Sequence, residues 1–271
     1  GTFDERDFFF FFGILLGQGN NLRQSGQYFL RAIELDPKSV EARIGLAKTY
    51  IEMQRADDAL KLVRQIHEEE KTTPLSDQNQ LELLQTESLV YLAKNDFLSA
   101  EKLIQTSQKQ NPKDQFRLAL LSQLYLQAGR YTDALKAVRM QLEIAPDNPS
   151  ALFTEAVLNM QLKHYSKAIE ILNRVINLQP KNYDARLNRA ISYLQIEKFD
   201  EARHDYETLR NSLSKEKSYP IYFRLGDLAE RQNNKPEAIK NYKIFLQRAP
   251  ADAPGRPETV KRLEELQGAN N

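Results

Sequence analysis

Three histidines, His67, His164 and His204, are the side chains of this sequence best suited to metal binding or acid–base chemistry. Their spacing gathers neither a set of metal ligands nor a catalytic pair, so we expect them to be surface residues. The 271 residues contain no cysteine, which excludes disulfides, thiolate nucleophiles and cysteine-based metal sites. The sequence also has no glycine-rich phosphate loop and no zinc-protease helix motif. It therefore predicts no catalytic residue, no metal site, no cofactor and no enzymatic activity.

The composition favours a helical chain. Hydrophobic residues make up 41% and charged residues 28% of the sequence, with only 10 glycines and 11 prolines, a balance rich in helix formers. The 38 basic and 37 acidic side chains leave a formal charge of +1, which provides no long-range field to attract nucleic acid. The longest apolar run, Phe8 to Leu16, has nine residues, whereas a membrane-spanning helix needs about 20. We predict neither nucleic-acid binding nor direct membrane insertion.

A pattern with a period of 34 residues organises most of the chain. Ala134, Ala168 and Ala202 lie one period apart, and Pro146 is followed one period later by Pro180. Repetition at a fixed period of this length is the signature of a solenoid, in which each helical unit buries its apolar face only against its neighbours. We assign seven units, a polar loop and a terminal capping helix: units 6–39, 40–73, 81–114, 115–148, 149–182, 183–216 and 219–252, the loop 74–80, and the helix 257–267.

Two columns of small residues recur in these units. Small side chains allow two antiparallel helices to approach closely, and aromatic residues such as Tyr125 and Phe199 fill the remaining space. The eighth position of each unit holds Gly13, Ala47, Ser88, Ser122, Ala156, Ala190 and Gly226. The twentieth position holds Ser25, Ala59, Ala100, Ala134, Ala168, Ala202 and Ala238.

The order of these positions resembles the tetratricopeptide repeat family. The family's pattern of an aromatic residue, Leu-Gly, Tyr, Ala, Phe and Pro is matched closely by Phe9, Phe12, Gly13, Leu16 and Pro37 in the first unit. The resemblance extends over residues 6–250. It implies an all-α fold, a right-handed superhelical solenoid of helix-turn-helix repeats whose first helices line a concave groove. Members of the family are usually scaffolds that bind peptides or protein partners.

The resemblance also indicates which side chains would face the groove: the second, fifth, ninth, twelfth and thirteenth positions of each unit. Three consecutive units are largely apolar there, and an exposed apolar patch marks a binding site. The alternative for the twelfth position is burial against the next unit. We predict the following residues of a partner-binding groove: Phe116, Gln123, Gln127, Phe153, Val157, Gln161, Leu187, Ile191 and Gln195.

Two further expectations concern polar positions. Gln127, Gln161 and Gln195 share the thirteenth position, so their amides could form a column that pairs with the backbone of an extended peptide. The alternative is that these glutamines are solvent-facing helix formers. Glu155 and Arg189, at the seventh position of adjacent units, could pair across the interface as a structural salt bridge.

The amino end holds a run of phenylalanines that the repeat pattern does not bury. We expect Phe8, Phe10 and Phe11 to be covered either by a preceding repeat or by a second copy of the chain, which would make a homodimer. The first residue is Gly rather than Met, so we expect that a preceding segment, including any targeting signal, was removed. The localisation is left open between cytoplasm and periplasm.

The sequence favours a non-catalytic scaffold that binds a peptide or protein partner in the groove. The alternative is a repeat module of a larger enzyme, or of a cell-envelope assembly or secretion factor, whose active part lies outside this segment. The identity of the partner is not encoded in the repeat pattern, because the pattern specifies packing between helices.

Overall fold

The computed structural model describes residues 5–19, 21–110 and 112–268. These residues form fifteen α-helices and no strand. The helices belong to two compact parts of the chain, each larger than a single 34-residue repeat. We call them unit 1, up to Arg130, and unit 2, from Tyr131 onward. None of the helices in the described ranges is long and apolar enough to cross a membrane.

Unit 1 contains seven helices. Successive helices pack against each other, α1 also touches α3, and α3 touches α5, so α1, α3 and α5 lie in one layer and the even-numbered helices that pack against them form another. The helices are α1 Glu5–Gln18, α2 Leu22–Leu35, α3 Val40–Glu52, α4 Ala56–Glu70, α5 Asp77–Ala93, α6 Phe97–Gln110 and α7 Gln115–Gln127.

Unit 2 contains eight helices with the same arrangement. Successive helices again pack against each other, and α9 touches α11. The helices are α8 Tyr131–Ile144, α9 Pro149–Gln161, α10 Tyr165–Leu178, α11 Tyr183–Gln195, α12 Phe199–Ser212, α13 Tyr219–Arg231, α14 Lys235–Arg248 and α15 Arg256–Gly268.

Side-chain caps begin the odd-numbered helices from α3 to α11. The residue before each helix accepts a hydrogen bond from a backbone N–H of the first turn, which satisfies a group that the helix leaves unpaired. The bond from Arg117 N to Asp114 Oδ1 measures 2.9 Å, and the bond from Ala185 N to Asn182 Oδ1 also measures 2.9 Å. The capping residues are Ser39, Ser76, Asp114, Asn148 and Asn182.

The turns that follow α3, α5, α7, α9, α11 and α13 share a left-handed residue. The next residue donates its N–H to a carbonyl five positions earlier, as in a Schellman motif: Arg130 N lies 2.8 Å from Tyr125 O, and His164 N lies 2.8 Å from Asn159 O. Only Gly129 of this set is a glycine, so the other turns place an ordinary side chain in a strained backbone conformation. The residues are Gln54, Asn95, Gly129, Lys163, Glu197 and Asn233, of which 95, 129, 163 and 197 lie 34 residues apart.

The small-residue columns lie where the helices approach most closely. All seven residues of the eighth-position column and all seven of the twentieth-position column are buried. A Cβ atom on Gly226 would come within 2.4 Å of the Tyr242 ring, and one on Gly13 within 2.9 Å of the Phe29 ring. The aromatic rings therefore occupy the space that a larger side chain in the column would need.

The segment between α4 and α5 differs from the sequence prediction. Residues 74–80 were predicted as a loop, but α5 begins at Asp77 and the bond from Asn79 N to Ser76 Oγ, at 3.2 Å, caps it. The loop therefore runs from Lys71 to Ser76. The cause is local, because a serine before an acidic first turn is a strong helix start and outweighs the polar composition of the segment.

Candidate functional site

The predicted groove residues of unit 2 lie on two adjacent helices, α9 and α11. Phe153 and Val157 are on α9, and Leu187 and Ile191 are on α11; all four are half-buried. Phe153 packs against the core around Leu152 and Leu172, while Leu187 packs against the core around Ala190 and Tyr206. Phe153 and Leu187 are therefore held by the hydrophobic core, and all four side chains still present part of their surface to solvent.

The glutamines of the predicted column end their helices. Gln161 is the last residue of α9, and Gln195 is the last residue of α11. Both are exposed, and neither side chain has a hydrogen-bond partner among the described residues. Their amides are therefore free to donate and to accept hydrogen bonds.

The remaining groove residues lie on α7 in unit 1. Phe116 is in the first turn of α7 and 38% exposed. Gln123 and Gln127 are exposed on the same helix. Because the side chains of Arg117 and Leu118 are buried, the rest of α7 anchors the helix while these three residues remain accessible.

The phenylalanines of α1 differ from one another. Phe8 is 40% and Phe11 54% exposed, whereas Phe10 is half-buried and its ring centroid lies 6.0 Å from that of Phe29. Leu15 on the same helix is 60% exposed. Phe8, Phe11 and Leu15 therefore present exposed apolar surface on α1, and the Phe8 ring centroid also lies 6.5 Å from that of Tyr28 on α2.

A cavity of about 560 Å3 in unit 1 had no place among the predicted sites. Residues of α1, α2, α3 and the start of α5 line it. Its apolar floor includes Phe10, Ile14 and Phe29, and charged side chains from α3 and α5 form the rim. A sequence signal did exist, because three glycines that line the cavity, Gly13, Gly17 and Gly45, lie inside helices, where glycine is unfavourable.

Comparison with models of known protein families identifies the family of the chain. Two family models, both described as tetratricopeptide repeat, match it: one at residues 18–86 and 125–182, the other at residues 86–149 and 187–253. Together these matches cover most of the chain. The chain belongs to the tetratricopeptide repeat family. Repeats of this family are generally protein-interaction modules and are typically non-catalytic. No curated protein sequence matches the chain.

Solved structures of tetratricopeptide repeat proteins have the same fold. A protein from Parabacteroides merdae is 17% identical with a TM-score of 0.62, and the match covers 96% of this chain and 98% of the other. The C-terminal part of a protein from Cytophaga hutchinsonii is 16% identical with a TM-score of 0.62, covering 93% and 98%. MamA is 22% identical with a TM-score of 0.54, covering 59% and 93%. The predicted helical repeat solenoid is confirmed.

The two charged side chains at the seventh position of adjacent repeats, Glu155 and Arg189, do not pair with each other. The expected Glu155–Arg189 salt bridge is wrong: Arg139 Nε on α8 lies 3.2 Å from Glu155 Oε1, and Arg189 Nη2 donates to Asp205 Oδ1 on α12 at 2.6 Å. Both partners belong to even-numbered helices. The physical reason is that side chains at this position lean toward the even-numbered layer, whereas the 34-residue spacing relates only residues of the same layer.

One of the three histidines, His67, has a specific hydrogen-bond partner. His67 Nε2 lies 2.8 Å from Glu87 Oε2, and Nδ1 lies 3.4 Å from Glu70 Oε2. The hydrogen bond to Glu87 raises the pKa of His67 despite opposing desolvation. This contact stabilises α4 on α5 at low pH, and the contribution is lost as the pH rises through the raised pKa. His164 and His204 are exposed as expected, and no three acidic or histidine side chains in the described ranges could hold a metal ion.

Proposed function

We propose that this chain is a non-catalytic scaffold that binds a peptide or protein partner through adjacent odd-numbered helices. The observation that carries the proposal is the α9–α11 surface, formed by Phe153, Val157, Gln161, Leu187, Ile191 and Gln195. It combines half-buried apolar side chains with exposed amides that have no partner among the described residues.

The apolar part of this surface would supply affinity. Burial of apolar area contributes about 25 cal/mol per Å2, and side chains already fixed by a core lose little conformational entropy on binding. Phe153 and Leu187 meet this condition because each packs against its own core cluster. Gln161 and Gln195 would add direction, because an amide can pair with both the N–H and the C=O of an extended backbone.

The α7 residues extend the proposal to unit 1. Gln123 and Gln127 hold the ninth and thirteenth positions of their repeat, as Val157 and Gln161 do in theirs, and Phe116 holds the second position. All three α7 residues are exposed. We propose that they form a partner-binding surface of unit 1 itself. Charge on Phe116, in the variant Phe116→Glu, then weakens partner binding without changing the helix content.

The test is a quantitative pulldown of cellular proteins with the wild type, Phe153→Glu and Leu178→Glu. Leu178 is the matched control, because it is 45% exposed at the end of the even-numbered helix α10. We expect Phe153→Glu to lose a specific set of partners that Leu178→Glu retains. Circular dichroism checks that both variants fold. Equal recovery of every partner by all three proteins would contradict the proposed surface.

We also propose that a second copy of the chain, or a preceding repeat, covers the exposed face of α1. Phe8 and Leu15 support this, since single apolar residues are common on surfaces but a contiguous group usually marks an interface. Sedimentation velocity over a concentration series tests the self-association form. A dimer that Phe8→Asp disrupts and Leu30→Asp on α2 preserves would support it, and a monomer at the highest concentration would contradict it.

A further inference from the structure

The α1–α3–α5 cavity of unit 1 has the size and the shape of a ligand site. Its volume of about 560 Å3 lies within the range of roughly 300 to 1,000 Å3 that is typical of such sites. Three glycines line it, Gly13 and Gly17 on α1 and Gly45 on α3. A Cβ on Gly13 or Gly45 would meet the Phe29 ring at 2.9 or 2.5 Å, so glycine at these positions lets α1 and α3 pack closely on that ring. Glycine costs about 1 kcal/mol inside a helix relative to alanine, and the contact with the Phe29 ring accounts for its presence at Gly13 and Gly45.

The floor of the cavity is effectively apolar. Phe10, Ile14, Phe29 and Ile44 line it. Its hydroxyl groups are already paired: Ser25 Oγ donates to Gly13 O at 2.7 Å and Thr49 Oγ1 donates to Gly45 O at 3.0 Å. A ligand gains little by hydrogen bonding there, so the floor favours an apolar group.

The rim carries an excess of negative charge. Three glutamates, Glu41, Glu52 and Glu82, and one lysine, Lys48, line the opening. Lys48 Nζ lies 3.2 Å from Glu82 Oε2 and neutralises that carboxylate. Glu41 receives only a neutral hydrogen bond, from Asn79 Nδ2 at 2.8 Å, and Glu52 is exposed with no hydrogen bond or ion pair to the described residues. Two carboxylates are therefore left without a cation.

We infer that this cavity binds a peptide segment in which a large apolar side chain lies next to lysine or arginine. The apolar side chain fills the space above Phe10, Ile14 and Phe29, and the cation pairs with Glu41 and Glu52. The rim selects against acidic segments, because a ligand carboxylate would lie beside uncompensated carboxylates. This site is separate from the α9–α11 surface and does not rest on it.

Three labelled synthetic peptides test the assignment by fluorescence anisotropy with the full chain. The lysine probe has seven residues with a central Leu-Phe pair flanked by lysines. The glutamate probe replaces the lysines with glutamates, and the serine probe replaces Leu-Phe with two serines. We expect the lysine probe to bind at least about tenfold more tightly than either of the others, with an affinity that falls as salt is added.

Variants localise the binding of the lysine probe. We expect Glu52→Gln to weaken it about three- to fivefold, as for one exposed ion pair, and Ile14→Ser to weaken it about tenfold through loss of apolar contact. Glu68→Gln is the charge-matched control, because Glu68 is an exposed carboxylate on α4 that does not line the cavity. Ile14 is 38% exposed, and circular dichroism checks that Ile14→Ser keeps the helix content of the wild type.

Each remaining outcome overturns the inference. No measurable binding of the lysine probe at millimolar protein would do so, as would equal binding of the lysine and glutamate probes, or equal losses in Glu52→Gln and Glu68→Gln. Phe153→Glu separates this site from the proposed function: it retains the lysine probe if the cavity binds it, whatever the result of the pulldown.

Discussion

The first and last helices of the chain each bury one face, but their outer faces differ. On α1, Phe8, Phe11 and Leu15 are exposed. On α15, Leu263 and Leu266 are buried, and Lys261 and Glu265 face solvent. A repeat stack leaves an apolar face at each end, and a polar outer surface on a terminal helix closes it. The difference teaches that two helices of similar length in one repeat protein can carry outer faces of opposite character, apolar on α1 and charged at Lys261 and Glu265 on α15.

Polar contacts also distinguish the two ends. Arg262 of α15 reaches Asp227 at 3.0 Å and Glu230 at 3.2 Å on α13, and Tyr242 Oη on α14 at 3.1 Å. On α1, Arg6 lies 2.9 Å from Asp7 on its own helix and 3.5 Å from Asp36, just after α2. Hydrogen bonds to charged groups contribute about 1.5 to 3 kcal/mol when well formed. Arg262 therefore links α15 to both α13 and α14 through a network of charged hydrogen bonds.

Substitution of a glycine in the first or the last repeat has the largest expected effect on the free energy of unfolding. Gly226→Ala places a Cβ 2.4 Å from the Tyr242 ring, and this ring is fully buried with its hydroxyl held by Glu230 at 2.8 Å. We expect a loss of about 2 to 3 kcal/mol in the free energy of unfolding.

Gly13→Ala is the matched variant at the other end. Its Cβ would meet the Phe29 ring at 2.9 Å, so a smaller shift is needed and the gain in helix propensity offsets part of the cost. We expect a loss below about 1 kcal/mol, measured by urea denaturation of both variants. A larger loss in Gly13→Ala would show that the α1 end is the more rigidly packed.

Removal of the hydrogen bonds made by Arg262 has the next largest expected effect on stability. Arg262→Ala leaves Asp227 and Tyr242 without a shared donor, and we expect the free energy of unfolding to fall by about 2 kcal/mol. Hydrogen exchange should show the loss first in α15. Arg31→Ala is the control, since its ion pair with Glu34 at 2.6 Å is exposed on α2 and contributes little. Equal losses in both variants would contradict the role of the network.

Two tyrosines at the same position of adjacent repeats, Tyr206 and Tyr242, test how much one hydrogen-bonded hydroxyl group contributes to stability. Tyr242 Oη bonds to Glu230 and Arg262, whereas Tyr206 Oη is buried with no partner in the described part of the chain. We expect Tyr242→Phe to cost about 1 kcal/mol and Tyr206→Phe to be neutral or stabilising, because the substitution removes an unpaired buried group. Thermal unfolding of the two variants gives the comparison directly. A destabilised Tyr206→Phe would reveal a polar partner.

Packing could be predicted from the sequence further than polar contacts could. Ala168 and Ala202 were expected in close helix contacts and are fully buried, because the repeat period fixes which backbone positions approach. The partner of Arg189 was predicted wrongly, because a long side chain chooses among several helices within reach. The cavity at Gly45 was missed because its shape depends on the Phe29 ring from another helix, and periodicity carries no information about an empty volume.

Substitutions that exchange apolar for charged residues between the outer faces of α1 and α15 have the smallest expected effect on stability. Leu15→Lys charges the exposed face of α1, and Lys261→Leu makes the exposed face of α15 apolar; both positions are open to solvent. We expect each substitution to change the free energy of unfolding by less than about 0.5 kcal/mol. Association should change in opposite directions, decreasing in Leu15→Lys and increasing in Lys261→Leu, because an added apolar side chain at an open end invites another surface. Light scattering at matched concentrations measures this. If Leu15→Lys instead unfolds the first repeat, α1 depends on its outer face for its own stability, and the contrast between the two ends is one of packing rather than of coverage.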